Sequence, residues 1–180
     1  MEHLEQLEVI TVLNALTWDS NGAVIIPISL NIQSTAGLIG TTTNNDADAG
    51  SVGEVIQSTV LSSSPINLTS SANAAITSIS LTAGDWDVFA NILILPTAST
   101  NMSSIGGWLN TTSATVPFPL PQSSLFSLTT TFTTGTSQSF PIGQVRYSLS
   151  TTTTIYLNVF VSFTVSTCQA AGCVFARRRR

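Results

Sequence analysis

The β-strand character of this chain is clearest in residues 75–95, AITSISLTAGDWDVFANILIL. Polar and apolar residues alternate from Ser78 to Leu81, and a period of two is typical of a strand that buries one face. The sequence Ala83-Gly84-Asp85 then predicts a turn. Aromatic and β-branched residues resume at Trp86 and favour a second strand. We therefore predict two strands, 75–81 and 86–95, joined by a turn.

Short strands separated by turn signals continue through the rest of the chain. Turns are predicted at Ser64-Pro65, Pro96, 117–121, Gly135 and 141–143, where Pro-Ile-Gly occurs. Six further strands are predicted at 51–60, 105–111, 125–132, 145–149, 154–165 and 172–176. This pattern predicts an all-β fold, a single antiparallel β-sandwich that is jelly-roll-like, with a short N-terminal arm or extra strands.

Three segments are predicted from composition. Residues 1–40 form an N-terminal arm for anchoring and assembly, residues 41–50 a polar loop, and residues 51–180 the sandwich. Within the arm, the turn Asp19-Ser20-Asn21-Gly22 predicts a hairpin, because Asn-Gly between apolar runs favours one. Pro27 makes the strand 23–30 an edge or bulged strand.

The composition predicts a protein that buries part of its surface in an assembly. Only 8% of the residues are charged, 43% are hydrophobic, lysine is absent, and serine and threonine together number about 50. Monomers in water usually carry more charge. The runs 92–95 and 159–161 are apolar on both strand faces, so both faces should be covered.

Charge is distributed unevenly along the sequence. Four of the five basic residues are Arg177–Arg180, whereas the preceding chain has nine acidic residues and Arg146. An acidic body repels nucleic acid, so we predict no nucleic-acid partner. We expect the arginines to form charge-assisted bonds with carboxylates of a neighbouring subunit, although a nucleic-acid role for the short tail stays an alternative. No apolar run is long enough to cross a membrane, and no signal peptide is recognised.

Candidate interface residues combine the apolar arm with the arginine tail, Arg177–Arg180. They are Leu4, Leu7, Val9, Ile10, Trp18, Arg177, Arg178, Arg179 and Arg180.

We predict no catalytic residue, no cofactor and no metal site. His3 is the only histidine, which leaves few candidates for a general base. Asp85 and Asp87 flank Trp86, and a core tryptophan beside a turn is favoured over an acid pair or a metal site. Asp46 and Asp48 lie in a loop that lacks the glutamate of a calcium loop at the required spacing.

The remaining tryptophans and the cysteines have structural interpretations. We interpret Trp18, Trp86 and Trp108 as core or interface anchors rather than sugar-stacking platforms. Cys168 and Cys173 are predicted to be small, half-buried residues on late strands. A hairpin between them that allows a disulfide is the alternative.

Several stretches resemble a known module. They are residues 44–54 (NNDADAGSVGE), 80–88 (SLTAGDWDV), 143–157 (GQVRYSLSTTTTIYL), 162–167 and 176–178. Together they resemble the Ser/Thr-rich β-sandwich module of tailed-bacteriophage and prophage structural proteins, and the resemblance covers about residues 41–180.

The resemblance implies a virion component that is commonly trimeric and often ends a longer fibre or tail protein. Only about 40 residues precede the module here, so we expect a stand-alone capsid decoration (cement) protein. Its partners would be further copies of itself and the major capsid protein. We expect it to be made in the host bacterial cytoplasm and to lie on the outer surface of the virion. A receptor-binding tip or short fibre that recognises a host glycan is the alternative.

Overall fold

Strands account for all the regular secondary structure in the residues that the structure, a computed structural model, describes: 17–18, 20, 24–25, 43–116 and 125–180. The chain divides into two units, Met1–Asn44 and Asn45–Arg180. The predicted all-β class is therefore confirmed. None of the described segments contains a helix able to cross a membrane.

The N-terminal unit contains a hairpin of two short strands. Strand β1, Thr17–Trp18, pairs antiparallel with β2, Val24–Ile25, so that Trp18 lies opposite Val24. This pairing confirms the predicted hairpin, whereas its turn residues Asp19, Asn21 and Gly22, and also Pro27, lie outside the described residues. Of the predicted interface residues, Leu4, Leu7, Val9, Ile10 and the side chain of Trp18 lie outside the described part of the chain.

The second unit contains nine strands. They are β3 Val55–Val60, β4 Ile66–Asn67, β5 Ala72–Leu81, β6 Gly84–Pro96, β7 Asn101–Asn110, β8 Leu125–Thr129, β9 Gln138–Leu149, β10 Thr153–Thr164 and β11 Cys168–Arg178. All eight strands predicted in this region are present, with shifted ends. The two-residue strand β4 was not predicted.

These strands form two antiparallel sheets. One is five-stranded, with the order β3-β11-β6-β9 and with β4 also beside β11. The other is four-stranded, with the order β5-β10-β7-β8. Counted without β4, the strands of the first sheet are first, eighth, third and sixth in the chain, and those of the second are second, seventh, fourth and fifth. This interleaving of eight strands in two sheets is the arrangement of a jelly roll.

The hydrophobic core lies between the sheets and is formed by alternate residues of the central strands. On β6, Trp86, Val88 and Ile92 are fully buried, while Phe89 and Asn91 between them point outward. Each fully buried side chain of this size contributes about 1.5–3 kcal/mol relative to exposure. The four-stranded sheet contributes Ile155, Leu157, Val159 and Val161 from β10.

One of the predicted turns is wrong. Pro141-Ile142-Gly143 was predicted as a turn but lies inside β9, at the edge of the five-stranded sheet. A proline is tolerated there because an edge strand has one side free of ladder hydrogen bonds. Val88 pairs with Val145 and Ala90 with Ile142, so Gly143 and Gln144 form a bulge.

The two cysteines lie on one strand, β11, and both are free thiols. Five residues of a strand span about 16 Å, far more than a disulfide allows. The hairpin alternative is therefore wrong. Cys168 is buried and Cys173 is half-buried, in agreement with two small residues on a late strand.

Candidate functional site at the arginine-rich end of the five-stranded sheet

Arg178 is the last residue of β11, the strand that lies between β3 and β6 in the sheet. Its side chain is buried within its own domain. Its Nε donates to Glu54 Oε2 at 2.8 Å. The backbone pairs there too: Gly53 N donates to Arg178 O at 3.0 Å, and Arg178 N donates to Glu54 O at 2.9 Å. The carboxylate of Glu54 also accepts from Gly50 N at 2.8 Å. Arg178 thus links the loop before β3 to β11.

The other guanidinium nitrogens of Arg178 reach the turn between β5 and β6. Nη1 donates to Ala83 O at 2.9 Å, and Nη2 donates to Thr82 Oγ1 at 2.5 Å. The guanidinium also lies over Trp86, with Cζ 4.2 Å from the ring centroid. Gly84, with φ +138°, leaves the space that this guanidinium occupies, because a Cβ at Gly84 would overlap Nη1.

The Asp85 carboxylate is buried against two other arginines. Arg146 donates from Nε to Oδ1 and from Nη2 to Oδ2, both at 2.7 Å, in a bidentate pair. Arg180 Nε lies 3.1 Å from Oδ2. The hydrogen bonds from Arg146 hold the pKa of Asp85 below its ordinary value, and the charges of Arg146, Arg180 and Arg179 lower it further against the opposing effect of burial.

The pKa of Glu54 depends on the same opposition between burial and hydrogen bonding. Burial raises its pKa, but the hydrogen bonds from Arg178 and Gly50 outweigh burial, so the pKa lies below the ordinary value of 4.5. Both Glu54 and Asp85 are therefore ionised at neutral pH.

The side chains of Arg177 and Arg179 are only loosely held. Arg179 Nη1 lies 3.6 Å from Asp87 Oδ1, which accepts no hydrogen bond from the described residues. Arg177 is exposed, lies opposite Asp87 across the strand pair, and has no side-chain hydrogen bond or ion pair with the described residues. From the sequence we expect the arginine tail to bind carboxylates of a neighbouring subunit, whereas Arg178 binds acceptors within its own chain. For Arg177, Arg179 and Arg180 the interface role stays a prediction.

Next to these arginines, aromatic side chains lie on the outer face of the five-stranded sheet. Phe89 of β6 and Phe175 of β11 are cross-strand neighbours with ring centroids 6.2 Å apart. Phe89 is 38% exposed. Leu93 and Leu95 point to the same face and are only partly buried. The apolar surplus predicted from 92–95 is therefore present as a partly exposed surface, which we call the outer apolar face.

An open groove of about 290 Å³ crosses the same face. Its walls include Leu61, Leu93 and Cys173, together with the polar residues Asn91 and Ser139, whose side chains are hydrogen-bonded at 3.0 Å.

The structure also describes the two tryptophans and the two loop aspartates that the sequence pointed to as candidates. Trp86 is fully buried and donates from Nε1 to Thr82 O at 2.9 Å, so the core interpretation is confirmed. Trp108 is 2% exposed, and its Nε1 donates to Thr115 O at 2.7 Å. Asp46 and Asp48 are exposed. The described residues contain no cluster of three potential metal ligands.

Sequence reasoning missed Asn158. It is fully buried on the outer side of β10, where its Oδ1 accepts from Ala114 N at 2.8 Å and fixes the loop 111–116. The only signal in the sequence is a single asparagine among apolar residues of β10, which indicates a polar group with a dedicated partner.

Both buried carboxylates of this region are engaged in ion pairs. Each buried carboxylate is already neutralised by an arginine, so neither Glu54 nor Asp85 is free to act as a base. What remains available is a set of exposed guanidinium groups beside an apolar face, a combination that suits contact with an acidic partner surface.

No protein-family model and no curated protein matches this sequence. Among solved structures, the chain is similar to a mutant VP2 protein of infectious bursal disease virus in derived T=1 particles, with 14% identity and a TM-score of 0.45 over 78% of this chain and 36% of that one. It is also similar to the VP2 subviral particle of the same virus, with 12% identity and a TM-score of 0.43 over 79% of this chain and 37% of that one. The chain thus spans about a third of the length of these proteins, and at these values the similarity carries no information on function.

Proposed function

We propose that this chain is a structural subunit of a virion, and more narrowly a capsid decoration protein on the outer surface of a tailed-phage particle. The observation that carries the proposal is the outer apolar face of the jelly roll. Phe89, Leu93 and Phe175 point to this face and are partly exposed, in a chain with very few charges. Such a face is typical of a surface that is covered in an assembly.

Several features support a structural role in particular. Jelly rolls are frequent in viral capsid proteins, although lectins and cupins share them, so the fold alone does not decide the function. The carboxylates at the arginine-rich end serve to join strands, through Glu54 with Arg178 and Asp85 with Arg146. The resemblance of residues 41–180 to phage modules adds the virion context.

In this proposal the subunits form an oligomer, with a trimer as the expected state, and bind the major capsid protein. Each interface stabilises the assembled shell because it is absent from the dissociated subunits. Residues 1–40, which carry Leu4, Leu7, Val9 and Ile10, would be the arm for anchoring and assembly of the subunits on the shell.

Copy number per particle tests the proposal. Quantitative mass spectrometry of purified particles, referenced to the major capsid protein, should find this chain in numbers comparable with the shell subunits. A handful of copies would replace the decoration role with that of a fibre or receptor-binding tip. Absence from the particle would overturn the virion role itself.

A deletion of residues 1–40 tests the anchor. The shortened protein should keep its cooperative unfolding transition and lose its binding to particles stripped of the natural protein. Full occupancy by the shortened protein would overturn the anchoring role. The variant Val165→Ser, which removes an exposed valine outside the strands, is the control and should bind normally.

The open groove gives the alternative a specific location. Asn91 and Ser139 present an amide and a hydroxyl beside Leu93, and such groups can bind sugar hydroxyls. Binding of the isolated protein to host cells, lost in the variant Asn91→Leu, would favour a receptor-binding tip.

A further inference from the structure

We propose that the arginine-rich end of the outer apolar face binds the acidic, apolar N-terminal segment of a second copy of this chain. The inference deepens the proposed function, because it names the contact between copies. It concerns the isolated protein, so it can be tested without a particle.

The receiving surface combines exposed aromatic area with unpaired positive charge. Phe89 and Phe175 form its apolar part, and Arg177 follows Phe175 on the same face of β11, since residues two apart on a strand share a face. Arg177 has no side-chain partner among the described residues. Arg179 is half-exposed, and its distance of 3.6 Å to Asp87 leaves its donors available to another acceptor.

Arginines outnumber carboxylates on the strands and the tail that form this end. Apart from the pair Arg178–Glu54, β6, β9 and the arginine tail contribute Arg146, Arg177, Arg179 and Arg180 against Asp85 and Asp87. On β6, β9 and the tail four arginines stand against two aspartates, while Asp46 and Asp48, the other two aspartates of the unit, lie exposed in the loop before β3, so that Arg177 keeps no carboxylate partner among the described residues. A partner segment should therefore be acidic.

The acidic segment that fits is at the start of this same chain. Residues 1–16, MEHLEQLEVITVLNAL, contain Glu2, Glu5 and Glu8 and no lysine or arginine. They also contain Leu4, Leu7, Val9 and Ile10, which match an aromatic surface. The unit Met1–Asn44 has four acidic residues and no lysine or arginine, whereas Asn45–Arg180 has five acidic residues and five arginines. The excess of negative charge thus lies in the N-terminal unit.

Charge also disfavours a contact between two outer apolar faces. A two-fold contact centred on the Phe89–Phe175 pair would place Arg177 of both copies near the axis, and like charges at an interface are repulsive. Contact between the face of one copy and the N-terminal segment of the next is heterologous. Such contacts close into a ring when the rotation between copies allows it, as in the trimer expected here.

A charge-swap series on the full chain tests the contact. Sedimentation and light scattering across a concentration series should show that the natural protein associates, and that added salt weakens the association. The variant Arg177→Glu/Arg179→Glu and the variant Glu2→Arg/Glu5→Arg/Glu8→Arg should each raise the dissociation constant at least about a hundredfold. The combined variant should regain most of the natural affinity, because the charges are again opposite.

Two further variants test whether association depends on the apolar contact at Phe89 or on any exposed apolar side chain. Phe89→Ser should weaken association, whereas Val165→Ser, which removes a more exposed apolar side chain elsewhere, should leave it unchanged. Thermal unfolding of every variant confirms that the domain is folded.

Three results would overturn the inference. They are a natural protein that is monomeric throughout the series, arginine variants that associate as strongly as the natural protein, and a combined variant that stays dissociated. The last result would leave the face an interface but give it another occupant. None of them bears on the copy number in particles, so failure of the contact and failure of the virion role are distinguishable.

Discussion

The guanidinium of Arg178 lies over the indole of Trp86 while its nitrogens bind Glu54, Thr82 and Ala83. One side chain therefore joins the last strand, the loop before the first strand of the jelly roll and the turn between β5 and β6. A buried arginine is stable only when its donors are satisfied and a carboxylate balances its charge, and both conditions are met here.

Replacement of this arginine should strongly destabilise the domain. In Arg178→Met, Glu54 keeps a buried negative charge with no cation, so we expect the free energy of unfolding to fall by about 3–5 kcal/mol. The control Arg177→Met removes the exposed neighbour and should change stability by less than about 0.5 kcal/mol. Urea denaturation of both variants measures the difference. Equal losses would show that Arg178 has no special role.

Stability should decrease in acid. The pKa values of Glu54 and Asp85 are lower in the folded protein than their ordinary values of 4.5 and 3.8, so the unfolded chain takes up protons first as the pH falls. Their contribution is complete at neutral pH, begins to decline near pH 4.5, where free glutamate titrates, and is lost as the pH falls through the folded-state values. Urea midpoints measured from neutral pH downward should follow this course. Asp85→Asn should be less stable at neutral pH and should lose less on acidification; parallel curves for both proteins would contradict the assignment.

Adjacent glycines of β7 should differ in their tolerance of a methyl group. A Cβ on Gly107 would overlap Cδ1 of Ile92, which is fully buried, and would lie 2.5 Å from Cε1 of Phe126, whose ring stacks on Phe140 with centroids 4.8 Å apart. Gly107→Ala should therefore cost about 1–3 kcal/mol. On Gly106 the nearest atom is 3.5 Å away, so Gly106→Ala should be tolerated. Thermal unfolding of the two variants gives the comparison, and equal transition temperatures would contradict the packing described.

The two thiols should react differently. Burial raises the pKa of Cys168 to about 11 and keeps it from reagents, whereas Cys173 is half-buried on the outer side of β11. Iodoacetamide at neutral pH should add one label to the native protein and two to the unfolded protein, as counted by intact mass. Cys173→Ser should abolish native labelling. A native adduct on Cys168 would show that the core opens there.

The strands of the jelly roll could be predicted from the sequence because burial of one face leaves a period of two in the residues. This explains why β5 and β6 were located within a few residues. The order of the strands within the sheets could not be predicted, since it depends on pairings between distant segments, such as β3 with β11. The arginine tail and the apolar surplus of 92–95 could be predicted from the sequence, whereas the aromatic pair Phe89 and Phe175 and the partners of each arginine could not.

Arg178 shows why part of the site escaped prediction. A run of four arginines resembles a solvated tail, yet Val174 and Ala176 point into the core and the same alternation turns Arg178 inward. The alternation was available in the sequence. The acceptor Glu54 was not, because 124 residues separate it from Arg178 and only the fold brings them together.

The proline and the bulge in β9 have a consequence for how copies of the protein can join. β9 is an edge strand, and an edge with free backbone groups is a template on which another chain can add a strand. Pro141 lacks an N–H, the bulge at Gly143 and Gln144 interrupts the regular spacing, and Arg146 places a charge on the same strand. These features discourage growth of a continuous sheet from one molecule to the next at this edge. A chain so rich in β-branched residues is thereby protected against fibre formation at β9, and association is directed to the sheet faces, where closed assemblies are possible.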